Sequence, residues 1–153
     1  MDWLHLAHQA FFGAIAAAGF GVLFNFGLRS LVWCGVAGAL ALAVRTLGQD
    51  AGWSLEAASF AAAVTTSCGM LLLRERLGAA ANAMALAGCI PMVPGAFFGQ
   101  ALLGMFAVTA PHAPNADATI LMAIEYMLRV IFTVAAIGAG LAIPAHLLRT
   151  REF

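Results

Sequence analysis

A chain of 153 residues that is 63% hydrophobic and only 9% charged is written for lipid, because a soluble domain carries about 25% charged residues. Seven basic residues, all arginine, balance seven carboxylates, and this neutrality gives no sign of a nucleic-acid partner. The composition excludes a soluble domain and sets the expected fold class as an all-α integral membrane protein.

The first residues, "MDWLHLAHQAFFGAI", hold no Lys or Arg to form the positive region of a cleavable export signal, so the first apolar segment is expected to stay. Ala10 to Phe26 is uncharged and extends back to Trp3, which is long enough to cross about 30 Å of hydrocarbon as a helix. The first span is therefore 3–26. A turn at "NFGLRS" comes next, and then fourteen uncharged residues, Leu31 to Val44, lie between Arg29 and Arg45. That run is short, so a second span over 29–48 must borrow its ends or sit between neighbours. In the turn "GQDAGWSLE", Ser54 is placed to cap the third span, 55–74, with Glu56 near the positive end of the helix dipole. Arg74, Glu75 and Arg76 close it.

Forty residues without a formal charge separate Arg76 from Asp117, too many for one span and too few for two with a loop. A fourth span, 79–108, falls here, and "CIPMVPGAFFGQ" interrupts it. Proline has no N–H, so Pro91 removes the bond to the Ala87 carbonyl and Pro94 the bond to Ile90. Ile90 and Val93 are disfavoured in helical angles by the prolines after them. The helix is expected to break over Pro91–Gly95, with Pro94 in the first turn of a new helix and Gly95 allowing close approach of backbone. Irregular backbone at membrane depth is tolerated where protein or a water-filled cavity covers it, the arrangement of discontinuous helices in secondary transporters. A kink used for packing, with Gly95 and Gly99 as a contact face, is the alternative that periodicity leaves open. "TAPHAPNADAT" reads as a loop in which Asp117 caps the next helix, and a fifth span, 119–148, begins near Thr119 or, if Glu125 and Arg129 mark its edge, near Val130.

Five spans place Arg29, Arg74, Arg76, Arg149 and Arg151 on one side of the membrane and only Arg45 on the other. By the positive-inside rule the N-terminus faces outside and the C-terminus the cytoplasm. A four-span arrangement, in which Leu31 to Val44 does not cross, scrambles that asymmetry. Cys34, Cys68 and Cys89 form no C-x-x-C pair and read as small buried hydrophobes. His5 and His8 share a helix face without a third ligand, and His112 and His146 lie far off, so neither a metal site nor a cofactor is expected.

"GFGVLFNFGLRSLVWCGVAGAL" (Gly19 to Leu40), "IPMVPGAFFGQALLGMF" (Ile90 to Phe106) and "GLAIPAHLLRTR" (Gly140 to Arg151) occur in this order. In order and spacing they resemble the small, YjjB-type subunit of the threonine/serine exporter family. I-P-M-x-P-G is the most specific part, and the match covers nearly the whole chain. The resemblance implies a helical protein of a bacterial inner membrane acting with a larger, YjjP-like exporter subunit. It implies threonine and serine as substrates of single-chain members and succinate-like dicarboxylates as substrates of the split pair. The chain shows no cytoplasmic domain of its own, which fits the small half.

The spans hold few other polar groups. Pro91, Pro94, Gly95 and Gln100, with Asn25 and Arg29 at the first turn, are the candidate substrate-binding residues. Arg29 also suits a cytoplasmic anchor. Glu125 and Arg129, one helical turn apart in the favourable order, are either a neutral structural pair at the membrane edge or a coupling site, since ionisable residues inside a span are functional candidates. No G-x-x-x-x-G-K-[ST], H-E-x-x-H or G-x-S-x-G motif occurs, so neither self-driven ATP hydrolysis nor an enzyme is expected. Two readings stand: the small half of an exporter for small carboxylates or amino acids, and a structural subunit that only stabilises its partner. Abundant Gly and Ala, such as Gly35, Gly38, Gly138 and Gly140, permit close helix contacts with that partner, with lipid-facing neighbours or with further copies of this chain.

Overall fold

The computed structural model describes residues 3–108 and 116–147, and every regular element among them is helical. In chain order these are α1 (Trp3–Leu23), α2 (Leu28–Asp50), α3 (Leu55–Leu72), the single turn α4 (Arg74–Leu77), a 3-10 turn (Gly78–Ala80), α5 (Ala81–Cys89), a second 3-10 turn (Ile90–Met92), α6 (Gly95–Val108) and α7 (Ala116–Leu147). By length and apolarity, α1, α2, α3 and α7 each suffice to cross a membrane. The bent pair formed by Ala81–Met92 and Gly95–Ala107 makes a fifth crossing if it counts as one span. The expected all-helical membrane fold with about five spans and a discontinuous fourth is what the chain adopts.

The chain divides into two compact units, Met1–Met92 with Ala136–Phe153, and Val93–Ala135. In the first, α2 packs on α1, α3 and α5. Without a hydrophobic drive between helices in lipid, such packing depends on small residues that let backbones approach. Gly13, Ala17 and Gly21 recur every four residues on α1 and are its buried positions. Opposite them, a Cβ added at Gly38 would run into the Gly13 carbonyl and the Ala17 methyl, and one at Gly21 would lie 2.8 Å from Leu31. Likewise Gly88 of α5 faces the backbone of Ala37 and Gly38 of α2, and Gly140 of α7 faces Ala63 and the Phe60 carbonyl of α3. Large side chains such as Phe11, Phe12, Val22 and Val32 point outward, as a lipid-facing surface requires.

Helix boundaries follow local chemistry. α1 ends with Asn25 in the left-handed region (φ 57°), while the Asn25 N–H donates to the Val22 carbonyl and the Phe26 N–H reaches back to the Gly21 carbonyl. This is a Schellman closure with asparagine in the position usually held by glycine. Ser54 caps α3 as expected, its Oγ accepting from the Ala57 N–H at 3.2 Å, and Glu56 lies in the first turn.

One expectation changes. The second span is not limited to the uncharged run: α2 has 23 residues and carries Arg45 inside it rather than in a connection. The fifth helix starts at Ala116 and runs continuously through Glu125 and Arg129 to Leu147. The fourth span is interrupted within Pro91–Gly95 as expected, its α-helical first part ending at Cys89. Ile90 keeps helical angles (φ −57°, ψ −40°) and the chain continues as a 3-10 turn to Met92. The tighter turn absorbs the missing Pro91 N–H, so the interruption falls at Val93–Pro94, where a second proline comes too soon for the ladder to recover. The expected loop over 109–115 and the tail carrying Arg149 and Arg151 lie outside the described residues.

Candidate functional site at the helix break

The broken span ends its first half at the Met92 carbonyl, which in a continuous helix would accept a hydrogen bond from the N–H four residues on. Here it accepts one from Arg45 Nη1 at 2.7 Å. Arg45 stands five residues before the end of α2, about 7.5 Å inside it at 1.5 Å per residue. Among the described residues it has no carboxylate partner, the one ion pair being Glu125–Arg129. An arginine within a spanning helix, half-buried and held on backbone alone, keeps its charge uncompensated. Around Met92 lie Ala41, Ala62, Ala63, Cys89 and Ile137, a floor of small side chains. On the same buried face of α3, Ser59 has no hydrogen-bond partner among the described residues, and the Thr66 hydroxyl faces the Cys89 thiol.

In the second unit, α6 opens at Pro94, whose carbonyl accepts from the Phe98 N–H at 3.2 Å. The Gly95 N–H is not free: it turns back onto the Val93 carbonyl at 2.8 Å. The donors available at this helix start are therefore those of Ala96 and Phe97, which have no intrahelical acceptor. Gly95 approaches nothing within this chain, since an added Cβ would find no atom within 4 Å, and the same holds for Gly99. Gln100 is exposed on α6. Arg129 Nη2 lies 3.6 Å from Glu125 Oε1, and its guanidinium sits 5.6 Å from the centre of the Phe97 ring, which stacks on Tyr126 at 5.7 Å. That arrangement neutralises Arg129 and shields it on an aromatic face.

Of the candidates read from the sequence, Glu125 and Arg129 do pair. Pro91 lies in the turn tied down by Arg45, while Gly95 and Gln100 are open. Asn25 and Arg29 are exposed at the first turn, where the backbone conformation of Asn25 already accounts for that residue. Sequence reasoning misses Arg45, because there it serves only as a boundary of the uncharged run. The signal is present in "GQDAGW", which puts the turn several residues beyond Arg45 and so places it inside the helix.

The model of the family described as threonine/serine exporter, ThrE, matches residues 9–147. The chain belongs to the threonine/serine exporter family. That family is one of transporters rather than enzymes, and this exporter-family chain is a multi-pass membrane protein. It is 31% identical over 144 residues to an uncharacterised protein of Haemophilus influenzae, a match covering 94% of this chain and 48% of that protein. The exporter-family chain thus spans about half the length of the curated relative it matches. No solved structure matches it.

Proposed function

We propose that this chain is the small membrane subunit of a secondary exporter in a bacterial inner membrane, moving threonine and serine or a succinate-like dicarboxylate together with a larger, YjjP-like subunit. The observation that carries the reading is Arg45 on the Met92 carbonyl: an uncompensated cation joined to the break of a discontinuous span. The guanidinium attracts an anionic substrate group. In transporters with discontinuous spans the free N–H groups of a helix start do the same, and α6 opens with two of them.

Orientation follows from the arginines. With Arg45 well inside α2, one side keeps Arg29 at the very start of α2 and Arg74 and Arg76 after α3 while the other side loses its sole arginine, which supports the N-terminus outside and the C-terminus in the cytoplasm. The open face at Gly95 and Gly99, where an added Cβ meets nothing within 4 Å among the described residues, supports a partner helix seated on α6. The test is export of labelled threonine, serine and succinate by cells expressing this chain with and without the larger subunit, normalised to assembled protein. Export only when both are present is expected. Export by this chain reconstituted alone removes the two-subunit reading, and unaltered export after substitutions at both Arg45 and Gly95 leaves only the stabilising-subunit role.

A further inference from the structure

Two adjoining cavities open at the end of the first unit where α3 finishes, α5 begins and α7 closes. One, of about 300 Å³, is lined by Leu71, Arg74, Gly78, Ala81, Asn82 and His146, with Ala145. The other, of about 350 Å³, shares Asn82 and Ala145 with it and extends to Ser67 and Leu141. From Arg74 back to Ser67 is seven residues of helical chain, so the cleft runs about 10 Å into the span. Its deep wall is fixed by Ser67 Oγ, which donates to the Leu141 carbonyl at 3.2 Å. Each volume lies at the lower end of the ~300–1,000 Å³ of small-molecule sites, sized for a few heavy atoms.

The lining has one sign. Arg74 and the imidazole of His146 stand at the mouth, Asn82 offers amide donors at the point where the cavities join, and among the described residues no Asp or Glu lines either cavity. These residues play no part in the break at Val93–Pro94. We infer that this cleft is a loading site for a small free carboxylate, with Arg74 binding the carboxylate, Asn82 orienting it and the Ser67 end receiving the rest of the molecule. The inference rests on the exporter reading for the identity of the ligand. The cleft lies at the end of the spans carrying Arg74 and Arg76, the side from which an exporter must collect its cargo if those arginines face the cytoplasm.

The test is modification of Asn82→Cys in a Cys68→Ala background, in membranes containing the larger subunit. Cys34 and Cys89 are buried and out of reach of charged reagents. Relative to a free thiol, the anionic sulfonatoethyl methanethiosulfonate is expected to outpace the cationic trimethylammonium analogue by about tenfold, the preference that one unscreened neighbouring cation gives. Arg74→Gln should abolish that preference, and Arg76→Gln, which leaves the lining intact, should not. Millimolar threonine, serine or succinate should slow the modification at least threefold, the three ligands separating an amino acid from a dicarboxylate. Equal rates for the two reagents, or no protection by any of the three, overturns the site. Protection only by vesicles rich in phosphatidylglycerol overturns it too, in favour of a lipid headgroup. Labelling needs no transport, so export without protection sinks the cleft alone, and protection without export sinks the exporter reading while the cleft stands.

Discussion

Replacing Arg45 by methionine separates a structural tie from a substrate anchor. Methionine keeps an unbranched apolar stem of similar reach but removes both the charge and the donor to the Met92 carbonyl. Two stability terms oppose each other. Leaving a buried carbonyl without a donor costs about 1–3 kcal/mol, whereas relieving a spanning helix of an unpaired guanidinium returns about 2.5–3.5 kcal/mol on insertion scales. The net effect of Arg45→Met on the folded protein is therefore expected to stay within about 2 kcal/mol of zero. Transport has no such compensation. A charge-assisted hydrogen bond to a substrate carboxylate is worth about 1.5–3 kcal/mol, which at about 1.4 kcal/mol per decade is a loss of about 10- to 150-fold. The assay pairs two readings on the same cells: detergent-extracted protein on size exclusion with its thermal midpoint, and initial export rates of labelled threonine, serine and succinate. Arg45→Lys, which keeps the charge without the planar fork, should fall between wild type and methionine. Wild-type export by Arg45→Met, or a loss of export that only tracks loss of folded protein, would refute the anchor.

Gly38→Val drives a side chain into the Gly13 carbonyl and the Ala17 methyl, so the amount of folded protein in the membrane should fall sharply, whereas Gly138→Val, with nothing within 4 Å, should leave it unchanged. Gly95→Leu meets open space within the chain and is expected to leave abundance unchanged while abolishing export or assembly with the larger subunit; co-purification distinguishes the two. Pro91→Ala alone should have little effect, because the helix already passes through it, while adding Pro94→Ala should straighten the span and stop export. Cysteines at positions 2 and 152 should label from outside intact cells only at position 2, and the reverse pattern contradicts the orientation.

The pattern of charges and turns made most of the fold legible. The spans, the Ser54 cap and the existence of an interruption in the fourth helix all follow from local rules that operate within a few residues. The position of the break within Pro91–Gly95, at Val93–Pro94, shows where such rules stop. A pre-proline residue avoids helical angles on average, but Ile90 is held in them by packing of the 3-10 turn against α1 and α2. Arg45 is hidden for a related reason: its meaning depends on a carbonyl 47 positions away in sequence. The cleft at Arg74 is equally out of reach, since its lining comes from three helices whose register is set by Gly88 and Gly140.

Arg45 and Arg129, both well inside long helices, show why partnership, more than position, decides which of them matters. Arg129 has Glu125 one turn away and the Phe97 ring beneath it, so its charge is answered within the second unit and nothing further is needed to keep it in a membrane. Arg45 is answered only by a carbonyl dipole, and a dipole offsets part of a full charge's desolvation cost without cancelling it. A fixed, incompletely answered cation favours any mobile anion small enough to reach it, most strongly where surrounding side chains exclude competing water. Ala41, Ala62 and Ala63 pack with Met92, whose carbonyl holds that cation, while occupying little room. The small residues of the first unit therefore serve packing and site at once. They allow α2, α3 and α5 to approach closely enough to hold the break in place, and they leave the guanidinium without a competing side chain. On this reasoning Ala62→Asp, which supplies an internal carboxylate beside the break, should silence export as completely as Arg45→Met, and restoration of export in the double variant would show that the charge itself is dispensable.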